Sequence, residues 1–433
     1  MHGYEGLDPA GGFDRARLLA PLKHRDFRFL WLGLSVSLLG DGAFMVALAW
    51  QAFELSNAPT ALSLVGLAMT LPHIVLLLVG GVVSDRLSRR MIMLASDVVR
   101  GVAIACVAVL SLTGELSLGL LVACAGIYGA GMAFFGPAFD AIVPDIVPAR
   151  DLAGANSLDQ LMKPLMLRLA GPALGGILIA GFGVGLAFAF ESLTFLASAA
   201  SLAAMSTRPR HEHSGEPIRH QLATGVAFIR ANVWLWGTFA AAAVAYLLFM
   251  GPAEVLLPYL VKEELGGSAT DLGLVFAVGG IGSIVAAFVM SGITSPRRYM
   301  TFIYLVWTFS TLAIAGYGLA TASWHLMAAG FVFNALESAG TIVWVTTKQR
   351  LVPASLLGRV SSLDWLISIG LMPVSFALTG PISAAIGARA TLVAAGLLGA
   401  AATASAFLLK GVRDIEHVTA SVANSRETRY KAA

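Results

Sequence analysis

Apolar residues run along this chain in blocks of about twenty, the length that crosses a bilayer as a helix rising 1.5 Å per residue. Charged and turn-forming residues interrupt the blocks, and cutting there gives twelve spans. The first half predicts helices at Phe27–Phe53, Ala61–Ser84, Met91–Leu112, Leu118–Phe139, Leu161–Ala180 and Val184–Met205. The second predicts Trp234–Val261, Leu272–Met290, Met300–Leu319, Trp324–Val345, Val360–Thr379 and Ala390–Leu409. A polar linker, residues 207–233, separates the halves; Leu222, Val226, Ile229 and Val233 recur in it at helical spacing, which predicts an amphipathic helix lying in the membrane interface. The division is then two six-helix bundles, 27–206 and 234–410, with polar tails at 1–26 and 411–433. The first tail lacks the apolar core of a signal peptide, so the first span is expected to be a retained anchor.

Composition strengthens this picture. With 57% hydrophobic residues, 12% charged and a mean hydropathy of +0.80 over 433 residues, the chain is too apolar for a water-soluble core. A net charge of +3, with no basic patch interleaved with aromatics, argues against a nucleic-acid partner. Cys106 and Cys124 both sit inside apolar runs, so neither a disulfide framework nor a metal site is expected. No Walker loop is present, and no cofactor is called for. Of the 28 basic residues, Lys262 and Arg389 alone fall in loops assigned outside, and Arg100 and Arg168 alone lie well within spans. That bias puts both termini on the cytoplasmic side of a cell membrane.

The loop between the second and third spans carries the most specific signal. It reads Gly81, three residues, Asp85-Arg86, one residue, then Ser88-Arg89-Arg90. Orientation alone would explain the arginines but not the aspartate, nor the paired glycines that let another helix approach. This order resembles the signature loop of the major facilitator superfamily, with Ser88 where that family usually has glycine. A loop repeat agrees: Val147-Pro148-Ala149, Leu152 and Ser157-Leu158-Asp159 recur 205 residues later as Val352-Pro353-Ala354, Leu357 and Ser362-Leu363-Asp364. The resemblance implies an all-α membrane protein with twelve transmembrane helices in two six-helix bundles related by pseudo-two-fold symmetry. It also implies that Asp85 faces the positive end of the eleventh helix, near Ser361-Ser362, while the cytoplasmic entrance is closed. Asp97 and Arg100 stand three residues apart on one helical face; they either satisfy each other or, as preferred, Asp97 holds Arg86 or Arg89 in a charge cluster under that gate.

A charge at the bilayer centre costs roughly 2.5–3.5 kcal/mol on insertion scales, so each embedded ionisable residue needs a partner or a task. Asp41, flanked by Gly40 and Gly42, and the embedded Glu191 and Glu337 are candidates for coupling to protons or substrate. Arg168 is the internal cation, open to pairing with Asp41 or Glu191 or to binding an anionic substrate, and Glu254 ranks lower. The fifth span contains Gly171-Pro172-Ala173-Leu174-Gly175-Gly176, which resembles the Gly-Pro-x-x-Gly-Gly motif of drug/proton antiporters, although Leu167 stands where that motif usually begins with glycine. The branch it resembles includes macrolide and enterobactin exporters.

The expectation is therefore a monomeric secondary transporter of the inner membrane, bathed in lipid, exchanging protons for a hydrophobic or amphipathic small molecule. An importer or lysolipid flippase of the same fold is the alternative. A membrane receptor would not need so many embedded carboxylates, and the embedded Ser, His and Asp residues have no catalytic spacing, so an enzyme is not expected.

Overall fold

The computed structural model describes residues 19–148, 151–206, 218–292, 296 and 298–416. Twelve helices in it are long and apolar enough to span a membrane. In chain order they are α1 Arg25–Leu55, α2 Pro59–Arg86, α3 Arg89–Thr113, α4 Leu118–Ile146, α5 Lys163–Phe182, α6 Val184–Ala203, α7 Val233–Tyr259, α8 Ala269–Gly292, α9 Tyr299–Gly318, α10 Ser323–Leu351, α11 Leu356–Ile386 and α12 Ala388–Leu408. Their outer surface is apolar, with Phe288, Leu193 and Leu196 largely exposed, as a surface facing lipid requires.

Helix ends follow local chemistry. Pro59 starts α2 and Gly114, in the left-handed region at φ 75°, ends α3. Both α4 and α10 extend a turn or more past their expected ends, to Ile146 and Leu351, where Val147-Pro148 and Val352-Pro353 stop them.

Prolines shape two spans. In α5, Pro172 has no N–H for the carbonyl of Arg168, and residues Lys163–Ala170 wind as a wider π-helix just before it. The freed carbonyl lies against Gly280 of α8, where a β-carbon would stand 2.5 Å from it. In α11 the break falls at Gly370-Leu371 before Pro373, giving two pieces, Ala354–Ile369 and Met372–Ile386.

Each half packs its own six spans: α2 on α4 and α3 on α6 in the first, α8 on α10 and α9 on α12 in the second. Between the halves, α5 packs on α8 and α2 on α11, with smaller contacts of α1 and α2 with α7. Most of this lies away from the termini, and the Lys163–Ala170 turns of α5 carry the contact with α8 as far as Gly280, midway along that helix. The Met372–Ile386 piece of α11 meets α2, whereas its Ala354–Ile369 piece packs on α7, α10 and the linker helix Ile218–Ala231. Similarly, the Gly171–Phe182 part of α5 meets α8, while the preceding helix Leu152–Met162 packs within its own half. The molecule is thus closed at the face opposite its termini, and its halves part toward the terminal face.

The linker helix is docked rather than free on the interface. Arg359 donates to Thr224 Oγ1 at 2.8 Å, and Gly225 lies on Arg359 and Leu363.

Candidate functional site

In the first half, four charged residues converge inside the bundle. Asp97, with no exposed surface, accepts from Arg100 Nη2 at 2.6 Å and from Ser198 Oγ at 2.6 Å. The Arg100 guanidinium lies over the rings of Phe195, Phe135 and Tyr128, 4.5, 4.8 and 5.8 Å from their centroids. Tyr128 in turn donates its hydroxyl to Asp41 Oδ1 at 2.6 Å. The Glu191 carboxylate lies against Gly40, next to Asp41 in α1, so the two carboxyl groups are close enough to interact. Glu191 is fully buried; Thr194 Oγ1 donates to its Oε2 at 2.9 Å, and Oε1 has no partner among the described residues.

Glycine makes this arrangement possible. A β-carbon on Gly40 would collide with the Glu191 carboxylate and the Thr194 side chain, so the Gly40-Asp41-Gly42 turn of α1 is what lets Glu191 lie flat against that helix. Gly42 meets Leu167, Gly171 and Pro172 of α5 in the same way. Replacing Arg100 with Met leaves Asp97 buried and uncompensated, and loss of one member of a buried pair costs about 3–5 kcal/mol. We expect a clear drop in the thermal unfolding midpoint of the purified protein, whereas removal of the exposed Lys163 partner of Asp159 leaves it nearly unchanged.

Asp97 therefore keeps Arg100 and Ser198 and does not hold Arg89 under the gate. Arg89 donates instead to Asp145 Oδ2 at 2.5 Å and to the Ala141 carbonyl, and Arg90 caps the end of α6 through the carbonyls of Leu202 and Ala203. Both arginines tie α3 to neighbours in its own half. The side chains of Gly81, Asp85 and Arg86 lie outside the described residues. Ser361-Ser362 do not begin a helix, because Pro353 starts it at Ala354 and their N–H groups are already within its turns.

Arg168 pairs with neither Asp41 nor Glu191. Its guanidinium reaches across to the second half and donates to Asn334 Oδ1 of α10 at 2.8 Å. One turn on, Glu337 accepts from Thr341 Oγ1 at 3.0 Å, and its backbone carbonyl accepts from the Trp307 indole at 3.3 Å. Glu254 of α7, between Pro252 and Pro258, is within electrostatic reach of Arg168 and has no hydrogen bond among the described residues.

The antiporter-like segment lies where the halves meet. Gly171 and Gly175 rest on the backbone of α1 at Gly42 and Ala43, while Gly176 rests on Ala269 and Thr270 of α8. Gly273 of α8 faces Pro172; a β-carbon there would stand 2.5 Å from the Pro172 carbonyl.

One cluster escapes sequence reasoning. Lys348 of α10 and Asp364 of α11 form a buried ion pair, and Asp364 also accepts from the Trp344 indole at 2.9 Å and from Ser368. The repeat pointed at Asp364 through its mate Asp159. It gave no sign of the lysine, because Asp159 takes Lys163 from its own helix, at 2.7 Å.

Comparison with known proteins fixes what this architecture is. A family model described as transmembrane secretion effector, within the major facilitator superfamily, matches residues 16–429. The chain belongs to this family. It is a membrane transporter of the major facilitator type. It is 28% identical over 378 residues to the multidrug efflux pump Tap of Mycolicibacterium fortuitum, covering 83% of this chain and 89% of that one. It is also 28% identical over 350 residues to the enterobactin exporter EntS of Shigella boydii, covering 78% and 81%. Among solved structures, a bacterial homologue of the lysosomal transporter Spinster in its inward-facing, unoccupied conformation matches with a TM-score of 0.66 at 15% identity, over 94% of this transporter and 99% of that chain. A bacterial homologue of ferroportin, also inward-facing, matches with a TM-score of 0.65 at 18% identity, over 88% and 98%. Those two likenesses show that the transporter shares their fold.

Proposed function

We propose that this transporter is a proton-coupled exporter of a hydrophobic or amphipathic small molecule, working as a monomer by alternating closure of its two faces. Efflux is supported by the relatives named for it, Tap and EntS. Cytoplasmic termini are supported by the concentration of Lys and Arg on the terminal face. With that orientation the conformation described is open inward, and substrate enters from the cytoplasm or the inner leaflet.

The observation that carries proton coupling is the Glu191 carboxyl sealed against Asp41. A buried carboxylate with an unpartnered oxygen costs several kcal/mol, and the cation of the cluster, Arg100, is already engaged by Asp97. A proton on Glu191 removes that cost and lets the carboxyl donate to Asp41. Protonation therefore favours the inward-open form. Loss of the proton to the cytoplasm, as substrate binds, releases the halves to rock the other way. In the reversed form Asp85, at the end of α2, docks on the N-terminal turn of the Ala354–Ile369 helix and latches the inner face, with Arg86 beside it.

One proton moving down about 100 mV releases roughly 2.3 kcal/mol, enough for about a fifty-fold substrate gradient at 1.4 kcal/mol per tenfold. Everted vesicles should accumulate substrate toward that ratio and lose the accumulation when the proton gradient is collapsed. Equal accumulation without the gradient contradicts the coupling. Movement of substrate out of everted vesicles points to an importer or lysolipid flippase instead.

A further inference from the structure

The second half contains a cavity bounded by α7, α9, α10 and α12. Its walls are the rings of Tyr246, Phe249, Tyr304, Trp307 and Phe333, and Glu337 stands at its edge. The cavity leaves about 50 Å³ open, far below the roughly 300–1,000 Å³ of a site for a whole drug-sized molecule. It accepts one apolar group of ring size.

The hydroxyls of Ser310, Thr311, Thr238 and Tyr304 along its walls are already used. Ser310 Oγ donates to the Phe333 carbonyl, Thr311 to the Trp307 carbonyl, and Thr238 joins the Trp234 carbonyl and the Tyr304 hydroxyl. Their surface is in effect apolar. Glu337 is different: no arginine, lysine or histidine among the described residues pairs with it, and a single hydroxyl, that of Thr341, hydrogen-bonds its carboxylate. It lies one turn from Asn334, whose side chain meets Arg168 of the other half, so this stretch of α10 borders the space between the halves. Arg168 is held by Asn334 and forms no ion pair with Glu337 among the described residues.

We propose that this cavity is a substrate subsite, and that it selects an amphipathic cation: an aromatic or similarly sized apolar group enters among Phe249, Trp307 and Phe333 while the positive charge rests against Glu337. Aromatic faces and a carboxylate both attract a cation and both repel an anion. Anionic molecules of the same size and apolarity are therefore poor ligands at this position. Substrate recognition is thus assigned to the second half and proton exchange to Asp41 and Glu191 in the first. The assignment rests on the transport function proposed above, but the pocket itself is tested without transport.

Tetraphenylphosphonium and tetraphenylborate share a shape and differ in the sign of their charge, which makes them the probes. In binding to the purified full-length protein, the cation should bind at least about tenfold more tightly than the anion. Glu337→Gln should remove most of that preference, and Phe333→Ala should weaken the cation without reversing it, each variant being checked for an unchanged unfolding midpoint. Equal binding of the two probes, or a preference unaltered in Glu337→Gln, overturns the subsite. A protein that shows the preference but does not move the cation in vesicles overturns export of such cations and leaves the subsite standing.

Discussion

Glu191→Gln yields a folded, membrane-inserted protein that no longer accumulates substrate. Glutamine has the size of glutamate and a permanent N–H donor, so it reproduces the protonated carboxyl against Asp41 and keeps the hydrogen bond with Thr194. The variant is held in the conformation described here and cannot release a proton. Accumulation in everted vesicles should fall from as much as about fifty-fold to about one. Binding of substrate to the purified protein should stay within a few-fold of normal, because the pair is sealed inside the first half. Near-normal uphill transport by this variant removes Glu191 from the coupling.

Gly273→Leu acts on the other element of the cycle. Gly273 meets Pro172, and Gly176 meets Ala269 and Thr270, in the contact that closes the face opposite the termini. A leucine side chain has no room there, and overpacking costs about 1–3 kcal/mol, which shifts the balance between the two faces by about 5- to 150-fold. The variant should populate the form open at that face, raising the reactivity of cysteines introduced there and slowing transport. Gly119→Leu is the control, since nothing stands within 4 Å of a β-carbon on Gly119. Unchanged reactivity in Gly273→Leu means that this contact is not the closing one.

Much of the fold was legible because the bilayer makes it so. Twenty-residue apolar blocks leave little freedom in placing helices, and the expected spans match the observed ones to within a few residues except at the ends of α4, α10 and α11. Those three run on to their local stops: Pro148 and Pro353 follow the ends of α4 and α10, and Gly387, at φ 87°, ends α11. Asp41, Glu191 and Glu337 could be picked out as embedded charges by their cost alone.

Their partners could not. Arg168 meeting Asn334, Asp97 keeping Arg100, and Lys348 meeting Asp364 depend on how helices rotate against one another, and a single sequence does not encode those rotations in any readable period. The aromatic cavity was hidden for the same reason. Trp307 and Phe333 are two of many rings in apolar helices, and it is their convergence from α9 and α10 that makes them a wall.

A repeat offset of 205 places Tyr246 opposite Asp41 and Gly396 opposite Glu191, so the second half carries no counterpart of the carboxyl pair. The duplicated halves have diverged in chemistry while keeping their shape.

The central claim is that the two faces close in alternation under control of the proton on the Asp41–Glu191 pair. Spin labels test it directly, once Cys106 and Cys124 are replaced: one pair at Asn57 and Ala384 on the face opposite the termini, another at Leu87 and Gly358 on the terminal face, all four positions exposed. At low pH the first distance should be short and the second long; raising the pH should lengthen the first and shorten the second, and Glu191→Gln should hold the low-pH pattern throughout. Distances that move together, or a glutamine variant that follows pH as the unaltered protein does, would contradict the account.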